Sequence, residues 1–144
     1  MSICKKCNVL RDKRKFEDRS PEYKKKAAGW SRQYRSKKTR EKLIVEDNKK
    51  GDRKSGRQND LDEVFVRELI SKGCVYCGVS AEQVKMSLDR IDNKLGHTKE
   101  NVTPSCLECN LTRGDMPYNA WLLVSVGMRH ARGMGLLNGW TRGR

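Results

Sequence analysis

Two cysteine pairs at C-x-x-C spacing, Cys74 with Cys77 and Cys106 with Cys109, constrain the fold of this chain more than any other feature. Each pair places two thiolates on one tight turn, and the stretch between the pairs is long enough for a β-hairpin to bring them together. Four thiolates then complete a tetrahedral shell around one zinc ion. Such a closed shell has no open position for a substrate, so the zinc is expected to be structural. Composition shows why a metal staple is needed. Only 35% of the 144 residues are hydrophobic and 6% aromatic, against 35% charged, so apolar burial alone holds a fold of this size weakly. The N-terminus MSICKKCNVL lacks the apolar core of a secretory signal, and no apolar run is long enough to span a bilayer. The expectation is an intracellular, cytoplasmic protein with no membrane partner, in a reducing compartment where cysteines bind metal rather than form disulfides.

Charge divides the chain unevenly. Residues 1–57 carry 21 Lys and Arg against 8 Asp and Glu, a net +13, whereas residues 58–144 are nearly balanced at +1. A basic excess of this size calls for a polyanion, with nucleic acid first and an acidic membrane surface second. Two domains are expected: a basic DNA-binding arm with its linker over 1–57, and a zinc-stapled module over 58–144. In the arm, Ser20-Pro21-Glu22 reads as a helix start, Gly29 as an interruption, and 30–47 as a resumed helix. Lys24, Lys25, Lys26, Arg32, Arg35, Lys37, Lys38 and Arg40 are the expected phosphate contacts, with Tyr23, Trp30 and Tyr34 interleaved for stacking. Residues 48–60 contain no apolar side chain and read as a flexible linker. Beyond them, Asp60 is expected to cap a helix carrying Leu61, Val64, Phe65, Leu69 and Ile70, stopped by Gly73. A second amphipathic helix is expected over 117–132, with Trp121, Leu122, Val124 and Met128 as its apolar positions.

Between the two cysteine knuckles lie Ser87-Leu88-Asp89-Arg90-Ile91-Asp92-Asn93, then Gly96-His97-Thr98, then Glu100-Asn101-Val102. The run closes on Cys106-Leu107-Glu108-Cys109-Asn110-Leu111-Thr112-Arg113-Gly114. In this order the residues resemble the HNH, or ββα-metal, nuclease family across residues 74–114. The resemblance implies that Asp89 and Asn101 ligate a catalytic magnesium or manganese ion beside the scissile phosphate, and that Asn110 orients the site. Both ligands offer the hard oxygens that magnesium requires. One position departs from the family pattern. Arg90 stands where most relatives have the water-activating histidine, and a guanidinium cannot accept a proton at neutral pH. A phage-type subset of the family has Asp-Arg at this place, where the arginine would bind phosphate through its planar fork. His97 is the candidate proton acceptor, and Tyr76 is an alternative, covalent nucleophile. Cys4 and Cys7 resemble half of a small zinc module found ahead of some phage HNH domains. The second pair is missing from the arm, so Cys4 and Cys7 are either relics or ligands shared between chains.

The expected fold class is α+β: a zinc-bound ββα-metal module with flanking helices and a basic helical N-terminal arm. The expected function is metal-dependent hydrolysis of DNA phosphodiesters by a phage homing or nicking enzyme, either as a monomer or as a homodimer. The alternative is a non-catalytic zinc protein that binds nucleic acid, and RNA cleavage ranks third.

Overall fold

The computed structural model describes residues 17 and 19–140, so Cys4 and Cys7 lie outside the described residues. The chain forms two compact units, Met1–Thr39 and Arg40–Arg144.

The first unit contains helix α1, Pro21–Ser36. Ser20 caps it by accepting a hydrogen bond from the Tyr23 backbone N–H at 3.3 Å, and Pro21 occupies the first helical position, where its missing N–H costs nothing. The expected break at Gly29 does not occur. Nothing approaches within 4 Å of the place a Cβ would take there, and an exposed glycine costs only about 1 kcal/mol of helix propensity. The helix ends at Ser36 instead, where the Ser36 hydroxyl donates to the Gln33 carbonyl and the Lys38 N–H closes on the Arg35 carbonyl. No residue of α1 is buried.

The second unit begins with α2, Arg40–Ser55, which runs through most of the segment expected to be a linker. The linker reading fails because a polar residue supplies the buried contact. Asp52 is 2% exposed and fully hydrogen-bonded, so the helix is anchored at a position that a search for apolar periodicity passes over. Val45 anchors its other end. Gly56 stops the helix in the left-handed conformation, φ 67°, while the Arg57 N–H returns to the Asp52 carbonyl at 2.9 Å. Arg40 differs from its expected role in DNA contact, because its guanidinium donates to the carbonyls of Ala81, at 2.7 Å, and Val84.

Helix α3, Glu63–Ser71, is capped by Asp62 rather than Asp60. The Asp62 carboxylate accepts from the Phe65 N–H at 2.9 Å, while Asp60 accepts from the Lys99 N–H at 2.8 Å. Leu61 and Val66 occupy the flanking positions of a hydrophobic staple, both with no exposed surface. Val64, expected to face inward, is 61% exposed.

Strands β1, Met86–Arg90, and β2, Val102–Cys106, form an antiparallel hairpin in the register Met86 to Cys106, Leu88 to Pro104 and Arg90 to Val102. Helix α4, Leu107–Arg113, follows β2 without a loop and packs on the hairpin. This is the ββα arrangement expected from the sequence. Helix α5, Tyr118–Gly133, closes the unit by burying Trp121 and Ser125, with Met128 against the core. Leu122 and Val124, expected on its inner face, are instead exposed, as are Leu123 and Val126. Among the described residues no helix is long and apolar enough to cross a membrane.

Candidate metal centre and active site

The first knuckle is a turn built by two glycines. Gly73 (φ 77°) lies so close to the Val79 carbonyl that an added Cβ would stand 2.8 Å from it, and Gly78 (φ 75°) turns the chain back so that its N–H reaches the Cys74 carbonyl. The second knuckle caps α4, with the Cys106 sulfur accepting from the Cys109 N–H at 3.4 Å. The sulfurs of Cys74, Cys77, Cys106 and Cys109 are buried and lie within 4.8 Å of one another, with Cys77 and Cys106 at 3.9 Å. Tetrahedral coordination with Zn–S bonds of about 2.3 Å requires sulfurs about 3.8 Å apart, so the four residues fit one zinc ion. Hydrogen bonds among the four thiols lower the pKa of Cys74 and Cys77 and raise that of Cys106 and Cys109, so the sulfurs compete for protons that a bound cation would displace.

The hairpin carries a second polar cluster. Side chains alternate across a strand, so Ser87 and Asp89 share one face of β1, and α4 covers that face. Asn110 on α4 donates through Nδ2 to the Ser87 hydroxyl at 3.1 Å and the Leu88 carbonyl at 3.0 Å; its Oδ1 has no donor among the described residues. Asp89 is 3% exposed. Its Oδ1 accepts from Arg113 and its Oδ2 from the Tyr76 hydroxyl, both at 2.6 Å. Arg113, also 3% exposed, further donates to the carbonyls of Arg90, Ile91 and Met116. It therefore ties the end of β1 to the end of α4. Sequence reasoning missed it, although its i, i+3 spacing from Asn110 puts both on one helical face.

Tyr76 packs edge-on against Trp121, with ring centroids 5.5 Å apart, and Tyr118, at 6.5 Å. Burial and then the hydrogen bond to Asp89 push its pKa far above the ordinary phenol value. The phenol therefore stays protonated and serves as a hydrogen-bond donor. This geometry opposes a nucleophilic role.

Asn101 does not face this cluster's open oxygen. Its Nδ2 donates to the carbonyls of Gly96 (2.9 Å) and Asp92 (3.0 Å), and its Oδ1 accepts from the Asp92 N–H at 2.9 Å. The whole amide clasps the loop between the strands, an arrangement that differs from the metal-ligand role expected for it. Arg90, at the mouth of that loop, donates to the Leu95 carbonyl at 3.2 Å.

His97 joins a third cluster. The Asp52 carboxylate accepts from the His97 backbone N–H at 2.9 Å and lies 3.0 Å from its Nδ1, and Asn59 Nδ2 donates to the same carboxylate at 2.6 Å. Burial alone would raise the Asp52 pKa, but the hydrogen bonds from Asn59 and His97 outweigh it and hold the carboxylate below its ordinary value. Burial lowers the His97 pKa against the opposing pull of Asp52, so the ring is neutral at neutral pH. A neutral ring facing a carboxylate through Nδ1 carries its proton there and leaves Nε2 as an acceptor. Lys24, Lys25, Lys26, Arg32, Arg35, Lys37 and Lys38 lie on α1 or just beyond its end, all exposed or half-buried.

No family model matches the chain, and no curated protein matches it. Among solved structures the chain is similar to the rare-cutting HNH restriction endonuclease PacI. That likeness has a TM-score of 0.57 at 17% identity and covers 66% of this chain and 81% of PacI. It shows an HNH-type nuclease fold over about two thirds of the chain.

Proposed function

We propose that this chain is a metal-dependent DNA endonuclease that hydrolyses phosphodiester bonds at the Asp89 face of the hairpin. The observation that carries the reading is the buried Asp89, held by Arg113 and Tyr76 on an HNH-type fold, with Asn110 of α4 hydrogen-bonded to its β1 neighbours Ser87 and Leu88. Each Asp89 oxygen accepts one hydrogen bond and keeps a lone pair, so the two side chains offer the hard oxygens that magnesium or manganese takes. Asn110 replaces Asn101 in this ligand set, because Asn110 hydrogen-bonds the β1 residues Ser87 and Leu88 beside Asp89, whereas the Asn101 amide hydrogen-bonds Asp92 and Gly96 within its own loop. When bound, the ion would stabilise the charge developing on the phosphate and on the leaving 3′ oxygen. The chain's own residues do the rest. Arg113 and Tyr76 hold the Asp89 carboxylate in one orientation, Arg90 faces the phosphate with its planar fork, and the free Nε2 of His97 accepts the proton from the attacking water. A phage or mobile-element setting rests on sequence resemblance alone.

The test is conversion of supercoiled plasmid in the presence of magnesium, repeated with EDTA. Asp89→Ala and Asn110→Ala are expected to lower the rate by at least about a hundredfold, in the range found on removing one transition-state contact. Asn101→Ala is expected to act mainly through loss of stability. One observation favours a second reading, that of a non-catalytic zinc protein that binds nucleic acid: both Asp89 oxygens already accept strong hydrogen bonds. Absence of magnesium-dependent nicking by zinc-loaded protein that still binds DNA would select it.

A further inference from the structure

We propose that Arg57 and Arg90 together grip one phosphate of the DNA backbone, across the loop that carries His97. The inference deepens the reading above, since it rests on this face of the unit meeting DNA.

Backbone geometry brings the two arginines to the same loop from opposite sides. Arg57 leaves the end of α2 as its N–H closes on the Asp52 carbonyl. The loop meets it at Gly96, where an added Cβ would lie 3.0 Å from the Arg57 Cβ and 1.9 Å from the Gln58 carbonyl oxygen, so only glycine permits the approach. Arg90 leaves the end of β1 and donates to the carbonyl of Leu95, the residue before that glycine. Leu95, Gly96 and His97 thus lie next to the Arg57 side-chain base and the Arg90 guanidinium.

Neither guanidinium has a carboxylate partner among the described residues. Asp52 is committed to His97 and Asn59, and Asp89 to Arg113 and Tyr76. Arg90 makes one hydrogen bond of moderate length, and the Arg57 side chain makes none among the described residues. Two like charges with unspent donors repel across so short a loop. An anion between them relieves the repulsion and uses the idle N–H groups. A phosphodiester suits the site best, because guanidinium forks match phosphate oxygens two at a time. The Asp52–His97 pair fixes the loop, so the clamp is formed before DNA arrives.

The test is the salt dependence of duplex binding, measured in EDTA so that the result does not depend on cleavage. Each neutralised phosphate contributes about 0.9 to the slope of log affinity against log salt. Arg57→Gln should weaken binding by about tenfold near 0.1 M salt while losing less than one phosphate's worth of slope, because Arg90 still faces the phosphate. The double variant with Arg90→Gln should lose about 0.9 in slope, one phosphate's worth, because both residues act on one phosphate. Arg57→Lys should keep the slope and still bind more weakly, because the ammonium lacks the fork. Unchanged affinity in Arg57→Gln, or a double variant that loses about 1.8 in slope, overturns the clamp. If Arg57→Gln loses zinc or melts early, Arg57→Lys decides, and affinity equal to the parent's overturns the proposal. Inorganic phosphate serves as a further probe: competition at millimolar phosphate in the parent but not in Arg57→Gln supports a phosphate site, and equal competition in both overturns it. A parent that binds DNA with this signature yet never nicks plasmid would instead bring down the endonuclease reading.

Discussion

Two buried aspartates organise the second unit, and they are built differently. Asp89 sits within the hairpin between the two cysteine pairs, with an arginine on one oxygen and a tyrosine on the other. Asp52 sits on α2, outside the cysteine-bounded segment, and binds an asparagine, a histidine ring and a backbone N–H. The partners of Asp89 come from the first knuckle and from the helix that the second knuckle starts, so its environment depends directly on the metal. Asp52 depends instead on how one helix end meets one loop. The molecule thus separates the hairpin, where the proposed chemistry lies, from a loop anchor that holds His97 near Arg57 and Arg90.

Zinc removal should break the comparison most sharply. Structural zinc sites contribute apparent free energies on the order of 10–16 kcal/mol, far more than a small domain's net stability. Chelation, or Cys109→Ser, should therefore dissolve the Asp89 cluster and the cooperative unfolding of the unit, seen as loss of dispersed amide and tryptophan signals. A chelated protein that melts like the parent would show that the cysteines are only core residues.

How much of this was legible in the sequence follows from the same contrast. The cysteine cluster was legible because tetrahedral thiolate coordination requires two close pairs, and the spacing of Cys74, Cys77, Cys106 and Cys109 records that requirement directly. The order Asp89, Asn101, Asn110 was legible too, but order along the chain does not give side-chain direction. The strand face, the helix register and the loop clasp decide that Asn110 hydrogen-bonds β1 next to Asp89 while Asn101 is tied to its own loop. Asp52 was hidden because its burial depends on His97, 45 residues away, while its neighbours Gly51, Arg53 and Lys54 resemble a solvated linker. Arg113 was hidden for a related reason: a basic residue in a helix's last turn ordinarily faces solvent and complements the dipole.

Single substitutions should rank the two clusters. Arg113→Ala leaves the Asp89 carboxylate buried beside the Tyr76 hydroxyl alone, and an orphaned buried charge costs about 3–5 kcal/mol. Asp52→Asn keeps the shape but gives up charge-assisted hydrogen bonds, at about 1–3 kcal/mol. Tyr76→Phe removes one hydrogen bond and should cost about 1 kcal/mol while retaining zinc and magnesium-dependent nicking. Denaturant midpoints of the three variants measure this order directly. If Asp52→Asn proves costlier than Arg113→Ala, the loop anchor and not the hairpin bears most of the stability. If a folded Tyr76→Phe protein fails to nick, Tyr76 does chemistry after all.

The smallest expected effect is a pH dependence that belongs to the Asp52 cluster. Burial lowers the His97 pKa below 6.5, so between the folded value and 6.5 the unfolded chain binds more protons than the native protein. Stability therefore falls as pH drops below about 6.5 and stops falling, for this group, once pH passes the folded value. Asp52 adds a second decline at lower pH. Its folded pKa lies below 3.8, so its contribution is complete above 3.8 and is lost as pH falls through the folded value. The charged groups acting on the ring are Asp52, which raises its pKa, and Arg90 and Arg57, which lower it. Replacing His97 by Gln should flatten the first decline and leave the second. Asp52→Asn removes the group that favours the imidazolium, so the first decline should extend to lower pH. Melting temperatures of the parent and both variants, taken from pH 7.5 to about 2, would show these shapes. A His97→Gln curve that falls in parallel with the parent's through 6.5 would mean that the histidine is not held as the structure has it, and that Asp52 anchors the loop through its backbone contact alone.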